Sequence, residues 1–351
     1  MSLRSRSGLL LVVALIAAVL PAGRASSGHH PMVFGVTMSS SDQFPDAEAL
    51  AGTHPFVARI PITWTDPHEV QMERRALARA AAERGWRVLV NLRYRTTVDD
   101  VASDALGGFR SWVGSTVRDL ADTPHVSFEI SNRPNATLPD PESDAHDPLA
   151  HKALVAGVLA ATDAVPGSRV GFSWLVSGVA VHDAAWWTAL RMAGGGVLRD
   201  RVSFVGLQIF PGSQGPATPW VAGGPRQQVE RMLEDTRLRY MPILGLGDEV
   251  EIVVGEFGAP TLHRGPPVLT GDWDVEQALQ TPLAQQRVLR AVAEAVWTSS
   301  VHWGVTGATW TALSDPSEGC FVDRCWGLVT STGSRRPAFD ELRFHVGLAS
   351  L

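Results

Sequence analysis

Eight short apolar runs, each followed by a stretch with helical spacing, set the pattern of this chain. The runs lie at Met32–Thr37, Phe56–Ile62, Arg87–Leu92, Val126–Ile130, Arg169–Trp174, Val202–Phe210, Glu251–Gly255 and Gly304–Trp310. Several read as near-continuous Val, Ile, Leu and Phe, the pattern of strands covered on both faces of a parallel sheet. Between them, Met72–Arg84 is rich in Ala, Arg and Glu and stops at Gly85, which predicts a helix. Leu154, Val155, Val158 and Leu159 form an apolar stripe at helical spacing, and Val288, Leu289, Val292, Ala295 and Val296 form another. Eight strand–helix units in one chain predict an α/β fold, a closed (β/α)8 TIM barrel, in preference to an open doubly wound sheet. No Gly-x-Gly-x-x-Gly follows the first run, and no Gly-x-Ser-x-Gly elbow is present. Dinucleotide and esterase folds therefore lack their signatures.

In such a barrel the functional residues stand where each strand stops. The seventh run ends Ile252-Val253-Val254-Gly255-Glu256-Phe257-Gly258, a lone carboxylate delivered to the rim of a sheet. The fourth ends Phe128-Glu129-Ile130-Ser131-Asn132-Arg133-Pro134. The second carries Arg59 inside an apolar run, with Trp64 just beyond it, and a buried arginine needs a carboxylate or several acceptors. It either bridges two layers of the barrel or serves a site. The sixth reads Gly206-Leu207-Gln208-Ile209-Phe210-Pro211, and the eighth ends Ala308-Thr309-Trp310.

Together these strand ends resemble the clan A glycoside hydrolases, retaining sugar-cleaving (β/α)8 barrels. The resemblance runs from the first strand to the closing Cys325-Trp326-Gly327 and Arg336-Pro337-Ala338-Phe339 segments. It implies that Glu256 is the nucleophile, that Arg59 pairs with it, that Asn132 grips a sugar hydroxyl, and that Trp310 floors the sugar subsite. It also implies substrate contacts from Trp64 and Gln208. Two positions depart from the pattern. Strand 4 of that clan ends Asn-Glu-Pro, and here Arg133 occupies the acid/base position. A guanidinium does not release a proton near neutral pH, so Arg133 cannot protonate a leaving oxygen. Phe210 stands where the clan has a tyrosine whose hydroxyl meets the nucleophile, although a core Phe is reading enough for that position. Glu129 lies too far back along its strand to replace the acid and reads as structural. Asp140, Glu142, Asp144 and Asp147 follow strand 4 and are candidate substitute acids or simply a solvated acidic loop. Loops bearing Trp220, and His263 with Trp273, could shape the cleft.

Composition adds a compartment. Arg4 and Arg6 precede an apolar run from Leu9 to Leu20 and small residues up to Ala25, which describes a secretory signal peptide over residues 1–25. An uncleaved membrane anchor is the alternative, although the run is short for a span. One barrel domain over residues 31–348 would follow. The leader holds three arginines and no acid, so its loss takes the formal charge from −6 to −9. That acidity argues against nucleic acid as a partner. Twelve Trp against two Tyr lean towards sugar stacking. Cys320 and Cys325, the only cysteines, invite a disulfide in an exported chain, with buried thiols as the alternative. No metal-ligand cluster or phosphate-cradling loop is visible, so no cofactor and no metal are expected.

The expectation is therefore a secreted glycoside hydrolase-like protein that takes an oligosaccharide or polysaccharide, without stable membrane insertion. Either it is an enzyme using Glu256, with a substitute acid or an activated donor, or it is a pseudoenzyme that keeps the sugar cleft for binding or scaffolding.

Overall fold

A computed structural model describes residues 32–95, 105–136, 143–145, 148–211, 224–262, 281–317, 320 and 324–349. The segment read as a signal peptide, and Asp140, Glu142, Asp147, Trp220, His263 and Trp273, lie outside the described residues.

Eight parallel strands close into a barrel: β1 Val33–Thr37, β2 Val57–Thr63, β3 Arg87–Arg93, β4 Val126–Ile130, β5 Arg169–Leu175, β6 Phe204–Ile209, β7 Glu251–Phe257 and β9 Val305–Trp310. β9 returns to pair with β1, so the sheet has no open edge. Among the described residues, eight α-helices, α1 Phe44–Ala51, α2 His68–Glu83, α3 Ala105–Asp119, α4 Ala150–Ala164, α5 Ala180–Met192, α6 Gly224–Asp235, α7 Pro282–Trp303 and α8 Pro337–Leu348, follow the barrel strands in turn. The chain is a (β/α)8 TIM barrel. Outside the barrel, β8 Thr261–Leu262 and β10 Arg324–Cys325 pair antiparallel and tie the loop after β7 to the loop after β9. Among the described residues no helix is long and apolar enough to cross a membrane.

Outward-facing strand residues and the inner faces of the helices make the main core, with Trp174, Trp187, Trp310, Phe34 and Phe172 fully buried. The barrel interior is layered. At its N-terminal end Arg169 pairs with Glu251, whose Oε2 also accepts the Thr306 hydroxyl at 3.0 Å. Above lies an apolar plug of Val33, Val57, Leu89, Phe204 and Val253. The next layers are polar and buried, and they contain Arg59, Asn91, Glu129 and Gln208. Such a change from apolar plug to charged layer is tolerated only where partners satisfy the charges.

One buried carboxylate outside the barrel gives a stability prediction. Asp183, in the first turn of α5, is buried, accepts the Ser177 N–H at 3.2 Å, and is pushed up by burial from 3.8 to about 6. A folded-state value above the unfolded one means that ionising Asp183 costs stability, increasingly as pH rises from about 4 to 6. A rise from 3.8 to about 6 corresponds to roughly 3 kcal/mol at the upper bound. Asp183→Asn should leave the melting temperature unchanged near pH 3.5 and raise it by several degrees at pH 7. Equal melting at both pH values would contradict this.

Candidate functional site

The strands β2, β3, β4, β6 and β7 and the residues just beyond them bring six expected or neighbouring polar side chains, Arg59, Arg93, Asn132, Arg133, Gln208 and Glu256, to one point. Glu256 is its centre. A register shift in the β6–β7 pairing sets Leu207 opposite Val254 but Gln208 opposite Glu256, so a bulge at Gly255 turns Glu256 into the barrel mouth beside Gln208. Its Oε1 pairs with Arg59, and its Oε2 accepts Arg133 Nη2 at 2.8 Å. Arg93 Nη2 stands 3.8 Å from Oε1, while its Nε donates to Asn91 Oδ1 at 3.0 Å. Burial alone would raise the Glu256 pKa; Arg59, Arg133 and Arg93 overcome it and hold the carboxyl at about 2.

Arg59 is wholly buried and links two carboxylates. Its Nε and Nη2 reach Glu129 Oε2 at 3.0 and 2.9 Å, and its Nη1 meets Glu256. Glu129 is therefore a support beneath Arg59. Its Oε1 lies against the backbone of Gly206 and Gly255, where any Cβ would collide with it. Those two strand positions need glycine for that close approach. Burial pushes the Glu129 pKa up against the pull of Arg59.

Asn132 Oδ1 accepts Gln208 Nε2 at 2.6 Å and Arg59 Nη2 at 3.3 Å. Gln208 Oε1 in turn accepts Arg133 Nε at 3.1 Å. Arg133 is thus gripped through its side chain by Gln208 and Glu256. Its backbone is held too: φ is +45° at Arg133 and +73° at Ser131, both in the left-handed region that non-glycine residues rarely occupy. Asp144 is what fixes this end of β4. Its buried carboxylate accepts the N–H groups of Tyr94, Arg95 and Asn132 at 3.1, 3.0 and 2.8 Å and the Ser131 hydroxyl at 2.8 Å. Ser143 adds a hydrogen bond to the Arg133 carbonyl at 2.7 Å. Asp144 is neither a solvated loop acid nor a proton donor to the cleft. It is an anchor whose oxygens are spent on four donors, although burial still pushes its pKa up.

One aromatic expectation is corrected. Trp310 has no exposed surface; its ring packs edge-on to Phe257 at 5.3 Å in the outer core, and Nε1 donates to the Trp326 carbonyl at 2.8 Å. Strand alternation gives the inward position to Thr309 instead, whose hydroxyl donates to the Gly255 carbonyl. Trp64 stacks on Tyr94 at 5.8 Å and packs edge-on to Phe109 of α3 at 5.9 Å, between barrel and helix layer. Trp310 offers no face to a ligand, whereas Trp64 stays partly exposed. The aromatic surface at the site comes from Trp326, half-buried, meeting Phe210 edge-on at 5.4 Å, while the Arg133 guanidinium lies 4.7 Å over Phe210.

Cys320 and Cys325 are joined in a disulfide, with Cα atoms 5.0 Å apart. Asp315 lies close to both sulfurs, but its carboxylate is taken by Arg336 and the Gly327 N–H. The bridge closes on β10, directly before Trp326, and Thr261 of β8 donates its hydroxyl to the Cys325 carbonyl at 3.2 Å. It therefore helps to hold the segment that presents Trp326.

No protein-family model matches the chain, and no curated protein matches it. Solved structures do. A GH5_18 protein from Streptomyces cattleya in complex with GlcNAc superposes with a TM-score of 0.61 at 16% identity, over 92% of this chain and 81% of that one. Fungal β-1,4-galactanases give 0.63 at 16% identity, over 89% and 99%. A GH5_18 protein from Bifidobacterium longum subsp. infantis gives 0.61 at 14% identity, over 91% and 79%. The (β/α)8 fold is the one these glycoside hydrolase structures share. Within this barrel, Glu256, Arg59, Asn132, Arg133 and Gln208 stand together towards the C-terminal ends of the strands.

Sequence reasoning missed Arg93 and Trp326 as site residues. Arg93 had a signal, a second arginine closing an apolar strand one residue beyond the expected end of β3. Trp326 had a weaker one, its place immediately after a cysteine in the closing segment.

Proposed function

We propose that this chain binds a glycan at the barrel mouth and hydrolyses unactivated glycosides poorly, as a pseudo-glycosidase in an extracytoplasmic setting. The observation that carries this reading is the Arg133–Glu256 pair at 2.8 Å. Retaining hydrolysis needs a second carboxyl about 5–5.5 Å from the nucleophile to protonate the leaving oxygen. The residue facing Glu256 from β4 is instead a permanent cation. Among the described residues, the other nearby carboxyls are committed: Glu129 lies beneath Arg59, and Asp144 anchors β4. Glu256 is ionised but held on both oxygens by arginines, which lowers its basicity and with it its nucleophilic strength. Asn132, Gln208, Arg133 and the Trp326 face remain as groups that would hold a sugar. A paired disulfide and the expected leader support export.

Calorimetric titration with a panel of neutral and acidic oligosaccharides tests the reading. The parent should bind at least one member, and Trp326→Ala should weaken that binding by about tenfold or more, the loss of one stacking face. Absence of binding across the panel would overturn it. Activated aryl glycosides, which leave without a proton, should be the best substrates for any residual turnover, and Glu256→Gln should abolish it.

The disulfide gives a related expectation. Cys320→Ser with Cys325→Ser should weaken the same binding several-fold while leaving the far-ultraviolet circular dichroism of the barrel unchanged, because the bridge holds the Trp326 segment rather than the sheet. Unchanged affinity in the double variant would show that β10 holds Trp326 without the bridge.

A further inference from the structure

We propose that Thr37, the last residue of β1, is a sugar-contact residue whose hydroxyl pairs with a ring hydroxyl of a neutral hexose held beside Glu256; this rests on the glycan-binding reading above. Alternation along β1 sets its direction. Val33 belongs to the apolar plug inside the barrel, while Phe34 and Val36 pack in the outer core, so Gly35 and Thr37 face inwards. Pairing sets its level. Thr37 stands opposite Arg59 of β2, the arginine that holds Glu256. On the other side, Val36 stands opposite Trp310 of β9, and Trp310 opposite Phe257 of β7. Thr37, one residue beyond Val36, therefore comes to the rim where β7 delivers Glu256. Asn132, Arg133 and Gln208 reach that point from β4 and β6, on one flank of β7. Thr37 lies on the other flank, two strands round the barrel.

The hydroxyl at this place is spare. Thr37 is 8% exposed, and its Oγ1 is buried with no hydrogen-bond partner among the described residues. The backbone around it is committed: the Thr37 carbonyl accepts the Leu313 N–H at 3.1 Å, and the Met38 N–H donates to the Arg59 carbonyl at 2.9 Å. A buried hydroxyl without a partner is unfavourable, and a valine would fill nearly the same space without that cost. Threonine therefore serves the empty barrel less well than its apolar counterpart, a deficit that a hydroxyl-bearing ligand offsets. Turning about χ1 exchanges hydroxyl and methyl group and breaks no hydrogen bond, so the oxygen is free to meet a partner at the mouth. A hydroxyl both donates and accepts, so it pairs with a sugar hydroxyl in either sense. It carries no charge and gives no preference for an ionised group. What it reads is whether a ring hydroxyl points towards β1, which differs between hexose epimers.

The test titrates tetrasaccharides of β-1,4-linked glucose, mannose and galactose into the parent, Thr37→Val and Thr37→Ser, and records the melting of each protein without sugar. The tetrasaccharide that the parent binds best should lose about tenfold in affinity on Thr37→Val, with the other two losing less, so that the preference narrows. Thr37→Ser, which keeps the hydroxyl, should stay within about threefold of the parent. Without sugar, Thr37→Val should melt about one to three degrees above the parent, because a buried unpaired hydroxyl has gone. Higher melting together with weaker binding is the result that a purely structural hydroxyl does not give. A Thr37→Val protein that melts below the parent shows that the hydroxyl serves the fold and overturns the inference. Equal affinity of Thr37→Val and parent for every tetrasaccharide overturns the contact while leaving glycan binding intact. An equal loss for all three overturns the reading of epimers. Failure of the parent to bind any of the three, or any member of the wider panel, removes the reading beneath it as well.

Discussion

Replacing Arg133 with glutamate is expected to raise cleavage of an unactivated oligosaccharide by about 10²–10⁴-fold over the parent, the usual worth of general acid assistance. The substitution acts twice. It removes a cation that holds Glu256 Oε2, and it places a second carboxyl opposite the first. Two carboxyls in one mouth cannot both ionise easily, so one keeps its proton near neutral pH and becomes an acid. The backbone at position 133 is already left-handed and clamped by Ser143, a constraint that glutamate meets on the same terms as arginine. Reducing-end release from an oligosaccharide that the parent binds is the readout, with Arg133→Gln as the control that removes the cation without supplying an acid. A folded, sugar-binding Arg133→Glu protein with no gain over Arg133→Gln would show that a missing acid is not what limits hydrolysis. Phe210, which brings no hydroxyl to the site, would then be the next position to change.

The second large effect concerns stability. Arg59→Met should cost about 3–5 kcal/mol at pH 7, because it leaves two buried carboxylates without their shared partner. The pH dependence gives the mechanism. Glu256 has a folded-state value of about 2, below its ordinary 4.5. Its ionised form therefore contributes stability that is complete above pH 4.5 and lost as pH falls towards 2. Part of that contribution comes from Arg59, so the gap between parent and Arg59→Met should be widest near neutral pH and should narrow between pH 4.5 and 2. Denaturant unfolding at pH 7 and at pH 3 measures it. A pH-independent gap would mean that packing, rather than charge, is what Arg59 supplies.

The fold was largely legible because all eight strands are apolar runs separated by helical spacing, and that pattern survives without knowing any contact. The strand ends were legible for the same reason: a charged residue closing an apolar run, as at Arg59 and Glu256, must find a partner. What the pattern could not give was facing. A strand buried on both sides carries no inside–outside alternation, so nothing in Ala308-Thr309-Trp310 says which side chain enters the barrel. The structure sends Thr309 inward and Trp310 to the outer core. The bulge that turns Glu256 beside Gln208 is likewise a matter of pairing register, which one strand's sequence does not contain. Trp64 shows the converse limit: a tryptophan just past a strand end serves equally as a cleft wall or as packing for the next helix, and here it meets Phe109. By sequence Asp144 looks like one loop acid among several, because its four donors come from two distant pairs of residues, Tyr94 with Arg95 and Ser131 with Asn132.

The most direct test of the central claim is product analysis on the unmodified protein. An oligosaccharide shown by titration to bind the parent is incubated with it for many hours at pH 6–7, and reducing ends are counted against the amount of protein. The Arg133–Glu256 arrangement predicts saturable binding with the oligosaccharide recovered intact, at less than one cleavage per protein molecule. Multiple turnovers on that unactivated sugar, abolished by Glu256→Gln, would contradict it.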